Sequence, residues 1–328
     1  MQSIKLVNTY KKITWECTTT CNYSCTYCPP DSSDGKYRWP DLVQTKNVIK
    51  FARNFFQDVD IANTDFDIMG GEPTLWPGFD DFYQEISKFC LVGLSTNASR
   101  TERYWKQLKV VNPFRYFIMS FHPETADVDH FLKVAKIMQE KTPNVNVFIM
   151  YYPLYKEKCM QMYNAIKNSN LQVSVKLKPL HSTNKFFSNY TSEDDNIIKQ
   201  TPRIDRSSYL FAKCKLINQA KPIVDIDGKT VYNTDSIINE KKNNFKDWLC
   251  HYGKNVLYIT PDGNVRGSAC GVNQKQPLAN IYNDETYNIP EPVVCPYSEC
   301  SCLADVELIT KENVLNKPET KALDKYFN

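Results

Sequence analysis

From about residue 12 to residue 180, short apolar runs alternate with stretches whose apolar residues recur at helical spacing. The runs cover 12–16, 65–69, 91–95, 115–121, 145–151 and 172–178, and their Ile, Val, Phe and Tyr content predicts buried strands. Between them, Asp41 with Gln44 three positions on forms a helix-start signature, followed by an apolar face of Val48, Phe51, Ala52 and Phe55. A second helix is predicted over 101–108. A third carries Val128, Phe131, Val134, Ala135 and Met138, and a fourth carries Cys159, Met162, Tyr163 and Ile166. Strand and helix repeated in this order predict an α/β fold with a parallel sheet and right-handed crossovers. Six strands suit either a partial β/α barrel or an open doubly wound sheet, and periodicity does not separate the two.

The alternation stops near residue 185. Residues 186–247 are rich in Asn, Ser, Lys and Asp and read as a bridging region with one hairpin at 224–231. A small β unit begins at Cys250. Its strand 256–259 runs into Pro261-Asp-Gly-Asn264, a strong turn signal, and returns from Val265, so the hairpin should fold Cys250 and Cys270 towards each other.

Composition narrows the classes. The 328 residues are 42% hydrophobic, enough for a sizeable core. A net charge of +3 gives no electrostatic reason to expect nucleic acid or a membrane surface as partner. No apolar run reaches the roughly 18 residues of a membrane helix, and the first residues lack the apolar core of a signal peptide. A cytoplasmic protein with reduced thiols is the expectation. Its twelve cysteines are clustered, with Cys17, Cys21, Cys25 and Cys28 near the start and Cys250, Cys270, Cys295, Cys300 and Cys302 near the end. In a reducing compartment such clusters point to metal or catalysis.

Cys21-Asn-Tyr-Ser-Cys25-Thr-Tyr-Cys28 follows the first predicted strand. Closely spaced thiolates let one loop wrap an iron–sulfur cube, and three ligands on four irons leave one iron open. With Cys17 as a fourth ligand, the same residues could hold structural zinc or a ferredoxin-like electron carrier. The spacing, with Tyr27 just before the last cysteine, resembles the signature loop of the radical S-adenosylmethionine (SAM) superfamily. That resemblance implies a partial (β/α)6 TIM-like barrel and a [4Fe-4S] cluster on Cys21, Cys25 and Cys28. It also implies SAM chelated to the open iron, with Tyr27 lining the adenine pocket. Cys17 is left to the core. Met69-Gly-Gly-Glu-Pro73, at the end of the second strand, resembles the glycine-rich stretch of the same superfamily that contacts the methionyl amino group. Gly70 and Gly71 would let backbone approach a ligand closely, Glu72 would offer a charge, and Pro73 would fix the exit turn.

Later strand ends carry weaker signals, since ligands of parallel α/β folds gather at the carboxyl ends of strands. Asn97 and Ser120 are candidates for binding SAM, and His122 for a substrate-facing acid or base. Lys176 and Lys178 share one face of the last strand and would either meet an anionic group or mark a solvated edge.

The distal cysteines with their Asp-Gly hairpin resemble the SPASM/twitch extension of radical SAM enzymes. Five cysteines suffice for one auxiliary four-iron cluster. Cys250, Cys270 and Cys295 are the firmer ligands, with Cys302 favoured over Cys300 as the fourth; a zinc ribbon is the alternative. Cys90 and Cys159 read as core, and Cys214 as a candidate hydrogen-atom donor. The implied organisation is a core barrel over 1–185, a bridge over 186–247, a twitch-like domain over 248–305 and a tail over 306–328. The implied activity is reductive cleavage of SAM to a 5′-deoxyadenosyl radical. That radical would take hydrogen from a small molecule, with net oxidation through the auxiliary cluster, and reduced flavodoxin or ferredoxin would donate the electron. Maturation of a ribosomal peptide is the alternative. The expectation that no leader-binding domain precedes the barrel counts against it.

Overall fold

The computed structural model describes residues 3–6, 9–180, 190–206, 224–226, 228–231, 237–238, 241–272, 276–300 and 302–313. Its chain forms two compact units: residues 1–15, 41–66 and 219–328 make one, and 16–40 with 67–218 the other.

Six strands form the predicted alternating series, each within two residues of its expected bounds: β2 (Lys11–Glu16), β3 (Thr64–Met69), β4 (Val92–Thr96), β5 (Tyr116–Phe121), β6 (Val145–Tyr151) and β7 (Ser174–Pro179). They lie side by side in sequence order, and β4 to β7 pair in parallel, each with the next. Helices α1 (Leu42–Phe56), α2 (Phe79–Ile86), α3 (Glu102–Gln107), α4 (Val128–Gln139) and α5 (Lys156–Lys167) fill the crossovers. The fold is a partial (β/α)6 barrel. Asp41 caps α1 as expected: its carboxylate accepts from the amides of Val43 and Gln44, and the Gln44 side chain accepts from the Asp41 amide. α2 was not anticipated, although Phe79, Phe82, Tyr83 and Ile86 lie at helical spacing and are all buried.

The second unit shows why these strands can surround a site. Along β5, Phe117, Met119 and Phe121 are buried, while Tyr116, Ile118 and Ser120 are half-buried. Trp105 of α3 meets the Phe117 ring edge-on at 5.7 Å, and Phe131 of α4 meets Phe121 at 5.3 Å. One face of each strand is therefore sealed by helices. The other carries residues such as Ser120, Asn146, Lys176 and Lys178, which a fully apolar interior would not tolerate. Within residues 186–247, read as a bridge, Ser192–Gln200 forms helix α6, capped by Thr191 and Asp194.

In the first unit, β11 (Val256–Ile259) pairs in parallel with β2, and β12 (Asn264–Arg266) returns antiparallel to β11. The expected hairpin at 224–231 is β8 (Val224–Ile226) with β9 (Lys229–Val231). Together with β1 (Ser3–Leu6), β10 (Leu249–Cys250), β14 (Val293–Val294) and β15 (Lys311–Glu312) it forms a six-stranded antiparallel sheet in the order β14-β10-β15-β1-β8-β9. β15 lies in what read as a tail, and β1 in a stretch read only for the absence of a signal peptide. No helix among the described residues is long and apolar enough to cross a membrane.

Candidate functional site

The cysteine loop leaves β2 and is clasped by backbone. The Cys17 amide donates to the Met69 carbonyl at 2.9 Å, and the Gly71 and Glu72 amides donate to the carbonyls of Thr18 and Thr20 at 2.8 Å each. These bonds carry the pairing past the strand ends, so Gly70–Glu72 forms a shelf under the start of the loop. Side chains fasten the rest. Thr26 donates its amide to Glu124 at 2.8 Å, and Asn22 shares hydrogen bonds with Ser99 and Asn97. Glu124 was not anticipated. The only signal for it was its place two residues beyond His122 at a strand end.

The two glycines meet a steric need within the chain itself. A methyl group on Gly70, whose φ is +128°, would lie 2.3 Å from the Thr18 carbonyl oxygen, and one on Gly71 would lie 2.4 Å from that of Thr20. The close approach they allow is to the chain's own cysteine loop. Glu72 is wholly buried. Its carboxylate accepts from the Thr74 amide at 3.1 Å, the Thr96 hydroxyl at 2.7 Å and the Asn97 amide at 2.6 Å. Burial raises its pKa, while those donors pull the other way. The carboxylate therefore ties the end of β3 to the end of β4, and Pro73, also buried, opens the single turn that follows.

Cys21, Cys25 and Cys28 are free thiols, partly exposed, on this one loop. The Cys21 sulfur accepts from the Tyr23 amide at 3.4 Å and from the Asn97 side-chain amide at 3.7 Å. Burial raises the thiol pKa of Cys21 and Cys25, and for Cys25 the value is about 12. Among the described residues, no three His, Cys, Asp or Glu side chains close around a single metal ion. Thiolates that bind separate irons of a cube need not meet at one point. Three free thiols on one loop, one of them supplied with N–H donors, form a soft donor set that fits a cluster. Cys17, in contrast, is fully buried and its thiol pKa is pushed far up by burial, which suits core packing.

Tyr27 and His122 come together. The Tyr27 hydroxyl lies 2.9 Å from His122 Nδ1, the rings stack at 5.8 Å, and Tyr152 meets Tyr27 edge-on at 5.3 Å. Burial, followed by the charge of Lys178, lowers the His122 pKa to about 4, so the imidazole is neutral near pH 7. Ser120 sits on the half-open face of β5, in register with Phe148 of β6.

In the first unit, Cys250, Cys270, Cys295, Cys300 and Cys302 line one cavity of about 210 Å3. Cys250 and Cys295 are buried in a core with Tyr10, Phe245, Tyr252, Val306 and Leu308. The Tyr258 hydroxyl lies 2.8 Å from the Cys302 sulfur, and Cys300 is tied by its amide to the Asn243 carbonyl. Burial raises the Cys250 and Cys300 thiols to about 12, and the buried Lys311 ammonium acts against that shift at both. Such a cavity, with thiols on several sides and one cation, fits an iron–sulfur cluster. Cys90 and Cys159 are buried core. Cys214 lies outside the described residues.

Residues 15–165 match the Radical SAM superfamily. The chain carries a radical SAM domain. A match to that superfamily implies a [4Fe-4S] cluster and SAM, and it accords with the strand order and with the place of the cysteine loop after β2. Among solved structures, Streptococcus suis SuiB bound to the precursor peptide SuiA is 11% identical, with a TM-score of 0.51, over 84% of this chain and 63% of its own. SuiB bound to S-adenosylmethionine is likewise 11% identical at TM-score 0.51, over 84% of this chain and 64% of its own. This chain thus spans under two thirds of SuiB, and the likeness is one of fold. BtrN in complex with AdoMet and 2-DOIA is 17% identical at TM-score 0.40, over 84% of this chain and 80% of its own. No curated protein matches the sequence.

Proposed function

We propose that this radical SAM domain cleaves SAM reductively and takes a hydrogen atom from a small-molecule substrate, with net oxidation. The observation that carries the reading is the loop of Cys21, Cys25 and Cys28, clasped by the Gly70–Glu72 shelf and supplied with an N–H donor by Asn97. When bound, the cluster and SAM would supply the difficult chemistry, reductive cleavage of SAM and removal of a hydrogen atom from substrate, on one electron from reduced flavodoxin or ferredoxin. The residues of the chain hold and shield. The three thiolates leave one coordination position open for SAM. Glu72, Thr96 and Asn97 fix the strand ends against which the methionyl part would lie. Tyr27, held by His122 and Tyr152, presents a fixed aromatic wall for the adenine, and Ser120 a hydroxyl further along. With Nδ1–H donating to the Tyr27 oxygen, neutral His122 would present Nε2 to substrate as the proton acceptor. Cys250, Cys270, Cys295 and one of Cys300 or Cys302 would hold a second cluster, which gives the electron left on the oxidised substrate an acceptor. SuiB's peptide marks the alternative substrate class.

The test is anaerobic reconstitution with iron and sulfide, followed by SAM and dithionite. Wild-type protein should release 5′-deoxyadenosine, and replacing Cys21, Cys25 and Cys28 by Ala should lower its yield at least a hundredfold. Absence of 5′-deoxyadenosine from the wild type, with and without candidate substrates, defeats the reading. 5′-Deoxyadenosine released above background only with an added peptide selects the peptide class, and release only with added small molecules selects the other.

A further inference from the structure

Strand β7 alternates in the usual way up to its end. Val175 and Leu177 are buried, and Lys176 and Lys178 stand half-buried on the opposite face. On β6, Phe148 is in register with Lys176 and Met150 with Lys178. Both ammonium groups converge on the Phe148 ring, Lys176 at 4.4 Å from its centroid and Lys178 at 5.6 Å. Two ammonium groups thus lie about one aromatic ring.

No carboxylate lies within ion-pair distance of Lys178 among the described residues. Burial lowers its pKa, and no acid raises it back. A charge kept half out of water with only a ring face for a partner is an unfavourable arrangement, and an anion relieves it. Its neighbours place that anion. His122, at the end of β5, feels the positive charge of Lys178, and His122 is bonded to Tyr27 of the cysteine loop. The lone ammonium and the candidate SAM site therefore share one set of strand ends.

We propose that Lys178, with Lys176 one pleat earlier, forms a subsite for an anionic group on the substrate, a phosphate monoester or a carboxylate. A compact, flexible ammonium suits either oxyanion as a point charge. The proposal rests on the radical SAM reading above and narrows it to substrates carrying a negative charge.

The experiment is calorimetric titration of the reconstituted holoenzyme with SAM bound, at low ionic strength, using inorganic phosphate in one arm and acetate in the other. One anion should bind saturably at a single site, and the tighter one names the source. Lys178→Gln should weaken that binding at least tenfold. Lys178→Met does the same job if the amide variant fails to fold, and Lys178→Arg should bind within about threefold of wild type, as a kept charge requires. Lys136→Gln, an exposed lysine on α4, is the control for general charge. Saturable binding by neither anion overturns the proposal, and so does equal binding by wild type and a folded charge-removed variant. 5′-Deoxyadenosine release by the wild type is scored separately. Its absence defeats the radical SAM reading, whereas its presence with no anion binding defeats only the subsite.

Discussion

At the scale of residues, the most informative positions are Gly70 and Gly71. Sequence marked both, because a glycine pair followed by Glu-Pro at a strand end demands close approach of backbone to something. It could not say to what, since the partner lies some 50 residues earlier in the chain, at Thr18–Thr20. The same holds for Glu72. Its charge and place beside the cysteine loop were legible, whereas its bonds to Thr96 and Asn97, some 25 residues on, were not. Tyr27 and His122 were each legible by type and place, whereas their hydrogen bond spans 95 residues and was not. One consequence is testable. Gly71→Ala forces a methyl against the Thr20 carbonyl and should cost about 1–3 kcal/mol, as overpacking does. It should also shift the start of the cysteine loop. Urea unfolding of the apoprotein checks the first effect. Iron content after reconstitution checks the second, and should fall by half or more if two clusters are present.

At the scale of elements, the buried strands were legible because β5 and β6 are near-continuous apolar runs, while β3 and β7 alternate apolar with polar residues. α1 was legible because both its cap and its apolar face are local. What escaped has physical reasons. α2 is only eight residues long and sits behind Pro77 and Gly78, a pair that punctuates local structure and hides a helix start. α6 carries Glu193, Asp194, Asp195 and Asn196 and has almost no apolar face, so its only signal was the Thr191–Asp194 cap. β10, β14 and β15 are two residues each and owe their existence to partners far away in sequence, which no window can contain. The β11–β12 hairpin was readable from its Asp-Gly turn, and that turn is demanding. Gly263 has φ +84°, and a methyl there would lie 2.5 Å from the Tyr282 ring. Gly263→Ala should therefore destabilise the protein by about 2 kcal/mol or more, combining left-handed backbone strain with a steric clash. The measurement is the midpoint of urea unfolding, with m unchanged if only stability is affected.

At the scale of the whole molecule, the two groups of cysteines fall in different compact units, which sequence spacing suggested and contacts within each unit make concrete. Which of Cys300 and Cys302 belongs to a cluster was open in the sequence, and both line the same cavity. Chemistry can separate them. Reconstituted wild type should hold about eight irons, and Cys250→Ala with Cys295→Ala should remove about four of them. Of Cys300→Ser and Cys302→Ser, the true ligand is the one whose loss lowers iron and alters the electron paramagnetic resonance signal of the reduced cluster. A last consequence follows from the parallel pairing of β2 with β11. These partners are separated by about 240 residues. At the ~5–20 residues per second of ribosomal synthesis, the outer edge of β2 waits for some ten seconds to most of a minute before its neighbour exists. Ile13 and Trp15 lie on that strand, and a bare edge of such residues invites other chains to pair with it. A chain that ends before residue 256 should therefore aggregate more readily than the full chain, which light scattering of the two after dilution from urea would check.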